Sequence, residues 1–452
     1  MKQASEKTYL SWSHIAGYGL GDFANNLVFS LGALFLLNYY TDVVGFSLAV
    51  AGSLILLTRG FSAFTDVVAG RTIDRLSPRL GRFRPFLLWG AIPLMLANVA
   101  IFSVPPDWAY GAKLAYAVIS CGLLVTAYSF VNIPYGALAS VMTQAPHERA
   151  LLGVSRTAMS LIPGVALAVL LKPLLGETQD KHAGITHLVL YISVIGVFLY
   201  MACFKLTRET VVRDTPSPST RESIRCILTN KPLITLCATT FLTLAGAFSM
   251  ASSLIYFTKY VLRDLSQFVV IIGVTTILGT LVSGLLTPFM VKKLGKKTTC
   301  LSGLALTSVG HGGLFLFSSS DMAQLYLPLA LIGCGQMMVG MTTWALAADT
   351  VEYGEWRSSI RIEGLTYSVF SCARKAGQAL GGALPAFLLG FTGYAPNVVA
   401  QSDRALLGIQ VSVSLLPALA YLLAFLVMLC YPLDDRRFMQ ILQEIKTSRE
   451  AD

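Results

Sequence analysis

Asp22, Arg59, Asp66, Arg156, Arg374 and Lys375 lie inside stretches that are otherwise apolar. An ionisable group in such surroundings is costly, and it faces either a partner or a water-filled cavity. Asp22 and Asn26 are four residues apart. Arg59, Ser62 and Asp66 stand at i, i+3 and i+7, so each set shares one face of a helix. Tyr128, Ser129 and Asn132 cluster just before Pro134, while Arg156 stands alone among small and apolar residues. Arg374 and Lys375 precede a run of glycines at 377, 381 and 382. The chemistry on offer is binding. Carboxylates suit a cation or a proton, and basic groups from both halves of the chain suit an anionic or hydroxyl-rich solute. The same charges could instead pair with one another and lock helices together, most readily at Arg59. Asp66 has two readings: a coupling carboxylate, or a gate partner for the basic loop that begins at Gly70-Arg71.

The elements that must hold these groups follow from composition. Hydrophobic residues make up 54% of the 452 and charged residues only 13%, about half the usual charged fraction of a soluble domain. That excludes a single soluble core and makes lipid the solvent. A bilayer needs roughly 20 apolar residues per crossing helix. Twelve spans are expected, near 12–39, 45–70, 85–104, 112–138, 153–173, 185–205, 233–260, 267–291, 298–318, 324–348, 363–391 and 405–431. The first apolar stretch is too long for a secretory signal and contains Asp22.

Charge tests this layout. With both termini cytoplasmic, most of the 34 Lys and Arg residues fall in cytoplasmic segments, six fall outside and four lie inside spans. Cytoplasmic loops carry such an excess, so the net charge of +10 reflects topology and gives no sign of nucleic acid. The polar stretch 206–232 divides six spans from six. Domains are therefore expected at 1–205 and 233–431, joined by a cytoplasmic linker and followed by a cytoplasmic tail over 432–452. Two echoes suggest related halves. The loop from Gly70 to Arg82 resembles Lys292 to Lys297, and Tyr135-Gly136-Ala137-Leu138-Ala139 resembles Trp344-Ala345-Leu346-Ala347-Ala348. Each member of the second pair is followed by an acidic loop and a helix bearing Arg156 or Lys375.

Other residue types point away from catalysis. The eight cysteines, at 121, 203, 226, 237, 300, 334, 372 and 430, form no Cys-x-x-Cys pair and read as small buried hydrophobes. The five histidines lack ligand spacing, so neither a metal nor a cofactor is expected. No phosphate loop or nucleophile–base spacing supports a membrane enzyme. No appended signalling domain supports a sugar sensor. Trp344 and Tyr367 could stack on a sugar ring or simply pack. The basic loop, with Arg71, Asp74, Arg75 and Arg82, could pair with Asp349, Glu352 and Glu355 as a cytoplasmic gate, or remain solvated.

Several motifs in order resemble the glycoside-pentoside-hexuronide:cation symporter family. They are Gly17-Tyr18-Gly19-Leu20-Gly21-Asp22-Phe23-Ala24-Asn25-Asn26, Asn38-Tyr39-Tyr40-Thr41-Asp42-Val43, Asp66 with Gly70, Gly81-Arg82-Phe83-Arg84-Pro85 and Asn132-Ile133-Pro134-Tyr135-Gly136. Asp349 to Glu355 and Arg361 to Ser368 continue the match, which runs from about residue 11 to 440. The likeness is greater to the glucuronide-carrying branch than to the melibiose-carrying one. It implies an all-α membrane protein of the major facilitator fold, with twelve transmembrane helices in two six-helix bundles. It also implies a multi-pass protein of the bacterial inner membrane that works as a monomer and imports a small glycoside with a cation by alternating access. On this basis Asp22, Asn26, Asn132, Arg156, Tyr367 and Lys375 are expected to bind substrate. Asp66, Ser62, Ser129 and Asn132 are expected to couple the cation.

Departures from the family pattern shape the rest. Sodium-using members rely on several acids in spans two and four, whereas here Asp66 keeps company with Ser62, Ser129 and Asn132. Hard cations prefer charged oxygen ligands, so H+ is favoured over Na+. Gly21 and Gly136 stand where melibiose-carrying members have Lys and Trp, which argues against a neutral galactoside. A glucuronide is the leading substrate, with a sulfonated hexose or a neutral pentoside or galactoside as alternatives. Arg156 and Lys375 could clamp the anion while Asp22 accepts sugar hydroxyls, provided that Asp22 is kept apart from the anion.

Overall fold

Apolar runs of this length must satisfy their own backbone groups in lipid, and helices do so. The computed structural model describes residues 10–75, 81, 83–143, 146–175, 181–209, 227–317, 322–358, 363–396, 398 and 400–451. In the first half the helices are α1 (Trp12–Val43), α2 (Leu48–Arg75), α3 (Arg84–Ile101), α4 (Tyr110–Met142), α5 (Pro146–Leu175) and α6 (Lys181–Leu206). The second half has α7 (Lys231–Val261), α8 (Ser266–Leu294), α9 (Lys296–Leu316), α10 (Met322–Ser358), α11 (Glu363–Thr392) and α12 (Asp403–Leu429). A final helix, α13, spans Asp435–Ala451. No strand occurs among the described residues.

Among the described residues, 11 helices are long and apolar enough to cross a membrane. α11 is the twelfth long helix, and it falls short in apolarity because it carries Arg374, Lys375, Gln378 and several glycines. The chain divides into two compact units, Met1–Thr215 and Pro216–Asp452, inside the expected linker. Unit 1 packs around Tyr18, Leu94, Val131, Tyr135 and Tyr200. Unit 2 packs around Leu236, Leu304, Phe370, Tyr421 and Met428.

Two stretches differ from the sequence reading. The segment after span ten continues as helix to Ser358, because backbone hydrogen bonds propagate past the apolar run. The tail is helical as well. Its Ile441 is buried in the core of unit 2, and Glu444 accepts a hydrogen bond from Trp356 Nε1 at 2.6 Å.

The internal repeat is deeper in the backbone than in the sequence. α1 and α7 each end in one turn of wider π winding, Tyr39–Val43 and Phe257–Val261. Each turn closes with the same pair of bonds. Val44 N donates to Tyr39 O and Phe46 N to Tyr40 O, while Leu262 N donates to Phe257 O and Asp264 N to Thr258 O. A left-handed residue follows at the matching place, Gly45 (φ +85°) or Arg263 (φ 55°).

The two basic loops also match. In unit 1, Glu209 Oε1 accepts the backbone N–H groups of Phe83 and Arg84, both at 2.8 Å. In unit 2, Asp435 Oδ2 accepts the N–H of Lys296 at 3.3 Å. Each loop has a left-handed glycine, Gly81 (φ +105°) or Gly295 (φ +86°), whose missing side chain leaves room for that carboxylate.

Small residues bring helices close where polar groups must meet. A Cβ at Gly377 would lie 2.3 Å from Phe241 O, and one at Gly381 would lie 2.2 Å from Ala245 O. These positions are one turn apart and let α11 sit directly on α7. Gly381→Val is expected to cost about 1–3 kcal/mol through overpacking. Gly340→Ala, where nothing lies within 4 Å, should change stability by no more than about 1 kcal/mol. Thermal unfolding of the detergent-solubilised variants checks the contrast, and equal shifts would refute it.

Candidate functional site

The first cluster of unit 1 begins with three glycines on α1. A Cβ at Gly17 would meet Leu206, one at Gly19 would meet Ser155, and one at Gly21 would lie 2.4 Å from the Tyr135 ring. These absences let α4, α5 and α6 close on α1, and they bring Asp22 to Arg156. Arg156 Nε donates to Asp22 Oδ1 at 3.0 Å. The second carboxylate oxygen accepts from Asn26 Nδ2 at 3.0 Å. Asp22 is 7% exposed and Arg156 is 43% exposed, so the acid is buried behind an accessible guanidinium. The guanidinium also lies over the Tyr135 ring, 5.4 Å from its centroid. Tyr135 stacks on Tyr18 at 4.8 Å and donates its hydroxyl to Tyr18 O at 2.8 Å. Behind this layer, Tyr200 donates to Asn25 Oδ1 at 2.8 Å.

Asp22, Asn26 and Arg156 therefore form one cluster. The separation expected between Asp22 and the anion contact does not hold at Arg156. Its charge is already matched by Asp22, and what it presents is a guanidinium edge within a neutral pair. Gly21 is explained locally, since any side chain there would strike Tyr135.

The second cluster joins α2 to α4. Ser129 Oγ donates to Asp66 Oδ1 at 2.6 Å and lies 2.9 Å from Thr65 Oγ1. Thr65 Oγ1 in turn lies 3.0 Å from Ser62 O. Ser62, Thr65 and Ser129 are all buried. The structure thus brings three of the four expected coupling positions, Ser62, Asp66 and Ser129, into one cluster. It adds Thr65, which sequence reasoning passed over because a threonine one residue before an acid carries no helical-face signal of its own. Asn132 is half-buried on α4 and enters none of these bonds. Arg59 lies with its guanidinium 5.2 Å from the Phe29 ring centroid.

Lys375 and Tyr367 lie on α11 in unit 2, both half-buried, and Tyr367 packs against that unit's core. Arg374 lies over the Trp344 ring at 4.7 Å and the Phe370 ring at 5.9 Å. Trp344 and Phe370 meet edge to face at 5.5 Å.

The gate residues divide. The side chains of Arg71, Asp74, Arg75 and Arg82 lie outside the described residues. Asp349, Glu352 and Glu355 occupy the last turns of α10 rather than a loop. Asp349 is bound by Lys296 Nζ at 2.7 and 2.5 Å, so its partner comes from unit 2's own basic loop. Lys296 also lies over the Phe438 ring at 4.5 Å, which ties the loop to α13. Among the described residues, no group of three or more His, Cys, Asp or Glu could hold a metal ion.

The comparisons with known proteins cover nearly the whole chain. The model of a family described as MFS/sugar transport protein matches residues 17–435. A glucuronide carrier protein homolog of Escherichia coli (strain K12) is 44% identical over 98% of this chain and 97% of its own length. A putative sulfoquinovose importer of Salmonella typhimurium is 35% identical over 98% and 94%, and an isoprimeverose transporter of Lactiplantibacillus pentosus is 32% identical over 95% and 90%. Among solved structures, a nucleoside transporter aligns with a TM-score of 0.66 at 12% identity, over 93% of this chain and 100% of that one. At that identity the likeness is one of fold alone.

The asymmetric burial of the ion pair has a measurable consequence. Arg156→Gln leaves the buried Asp22 carboxylate uncompensated, and such a loss costs about 3–5 kcal/mol. Asp22→Asn leaves a guanidinium that water can reach, so the cost should be smaller. The double variant should recover part of the Arg156→Gln loss. Thermal unfolding in nanodiscs tests this order, and two equal, additive single effects would show that the pair is not coupled.

Proposed function

Because the chain belongs to the MFS/sugar transport protein family, we propose that it imports a glucuronide together with a proton. The chain is a multi-pass membrane transporter for sugars, not an enzyme. The reading adds the inner membrane of a bacterium, both termini in the cytoplasm and a monomer as the working unit. Alternating access moves the sugar, and cation and sugar bias one conformational equilibrium in common.

The substrate follows from the 44% identity to the glucuronide carrier homolog, with the accessible guanidinium of Arg156 as a donor to the sugar and Asp22 as its support. The coupling ion rests on the cluster of the Asp66 carboxylate with the hydroxyls of Ser129 and Thr65, next to the Ser62 carbonyl. A proton needs a single carboxylate, whereas a bare alkali cation is better served by several charged oxygens. A sulfonated hexose is the second reading, favoured by the 35% identity to a sulfoquinovose importer.

The test is uptake of a labelled aryl glucuronide into proteoliposomes under an inward proton gradient or an inward sodium gradient. Accumulation is expected with the proton gradient alone. Asp66→Asn should abolish accumulation and preserve downhill exchange. Accumulation driven by sodium would overturn the choice of ion, and no uptake by folded protein would overturn the substrate.

A further inference from the structure

α3 and α6 run antiparallel in unit 1, and their contacts fix the register. Asn98 Nδ2 donates to Ser193 Oγ at 3.1 Å. A Cβ at Gly196 would lie 2.3 Å from the end of Met95. Arg84 Nη2 donates to Phe204 O at 2.7 Å. This register sets Trp89 level with Met201, about one turn, or 6 Å, before Lys205 along α6.

Each of the two helices keeps one face clear of its neighbours. Trp89, Ile92 and Leu96 are exposed on α3, and Tyr191, Ile195, Phe198 and Met201 are exposed on α6. Steps of four, three and three residues hold the α6 set to one helical face, and Lys205 continues it four residues on. From Tyr191 to Lys205 that face is about 21 Å long. A face lining a solute path would carry polar groups, as α1 does with Asp22 and Asn26. This one stays apolar up to its final turn, so its complement is a hydrocarbon chain.

The apolar face ends in bases. Lys205 is exposed, and so is Arg208, two residues past the helix end at Leu206. The backbone around Arg208 is pinned on both sides. Thr207 Oγ1 donates to Cys203 O at 2.7 Å, and Glu209 Oε1 accepts the N–H groups of Phe83 and Arg84. Among the described residues, no carboxylate pairs with Lys205 or Arg208. Glu209, the neighbouring acid, has both oxygens turned to the space left by the missing side chain of Gly81. Arg84 adds a third cation behind them, with its guanidinium 4.6 Å from the Phe204 ring centroid. Trp89 stands where the apolar surface gives way to charge, the level that tryptophan favours in a bilayer.

We propose that this corner of α3 and α6 binds one anionic phospholipid, its acyl chain along the exposed α6 face and its phosphate held by Lys205 and Arg208. Arginine offers a planar fork and lysine a point charge, and both suit a phosphate. Trp89 flanks the lipid at the depth of its glycerol backbone. Basic pockets between membrane helices take anionic headgroups by the same balance of charge and apolar contact.

The experiment is native mass spectrometry of the full chain released from detergent, titrated with phosphatidylglycerol or with phosphatidylcholine of the same acyl chains. Wild-type protein should retain one phosphatidylglycerol more tightly than any phosphatidylcholine, and equal retention would overturn the proposal. Lys205→Gln/Arg208→Gln should weaken that first adduct by roughly 5- to 30-fold, the worth of one or two bases at an anionic headgroup. An unchanged adduct would overturn the proposal. Lys231→Gln/Lys292→Gln removes the same charge from exposed positions of unit 2 and should leave the adduct intact. An equal loss there would mean attraction to the whole basic surface and would overturn a site. Trp89→Ala should weaken both lipids alike, since it touches no charge. Displacement of the adduct by excess glycerol 1-phosphate would reassign the corner to a free phosphate and overturn the lipid. If the variants do not fold, wild-type protein in nanodiscs is irradiated with phosphatidylglycerol carrying a photoreactive acyl chain. Crosslinks should fall on α3 and α6 near Trp89 and Met201, and their absence there would overturn the proposal.

Discussion

A carboxylate far from bulk water must have a partner, and much of unit 1 is arranged around giving Asp22 one. The bond to Arg156 forms only because α1 lacks side chains at Gly17, Gly19 and Gly21, where neighbouring helices press in. The same close approach creates the Tyr18–Tyr135 stack, which backs the guanidinium. The helix packing, the aromatic layer and the site are thus one solution to a single electrostatic demand. Its uneven burial gives the pair a working side. The acid is anchored inside, and the base remains accessible.

The cluster at Asp66 answers a milder version of the same demand. A hydroxyl from the facing helix reaches the acid, since Ser129 of α4 donates to Asp66, and Thr65 of α2 lies next to Ser129. In unit 2 the basic groups are handled by rings as well as by acids. Arg374 lies over Trp344, and Lys296 is held by both Asp349 and Phe438.

The helical class and the count of long helices were legible because apolar length is a property of the chain itself. So were Asp22, Arg156 and Asp66, since isolated charges in apolar runs stand out. What escaped were relations between helices. No one-dimensional pattern puts Tyr135 under Arg156 or Trp344 under Arg374. Thr65 was missed because its role depends on the facing Ser129. Asp349 was matched to the basic loop of the first half, since complementary charge is all a sequence can offer, and its near partner is Lys296. The tail was read as a simple extension because its apolar residues are sparse, yet Ile441 is fully buried in unit 2.

The paired loop anchors also bear on the order of synthesis. Glu209 follows directly on the sixth helix, so unit 1 holds every residue of its anchor while much of the chain is still being made. Asp435 opens α13, and the loop at Gly295-Lys296 waits for it while the 139 residues from Lys296 to Asp435 are made. Domains fold as units in the order in which they emerge. The first half can therefore complete its anchored loop during translation. The second half completes its own only once α13 has emerged, which makes the docking of α13 a late step in the assembly of its bundle.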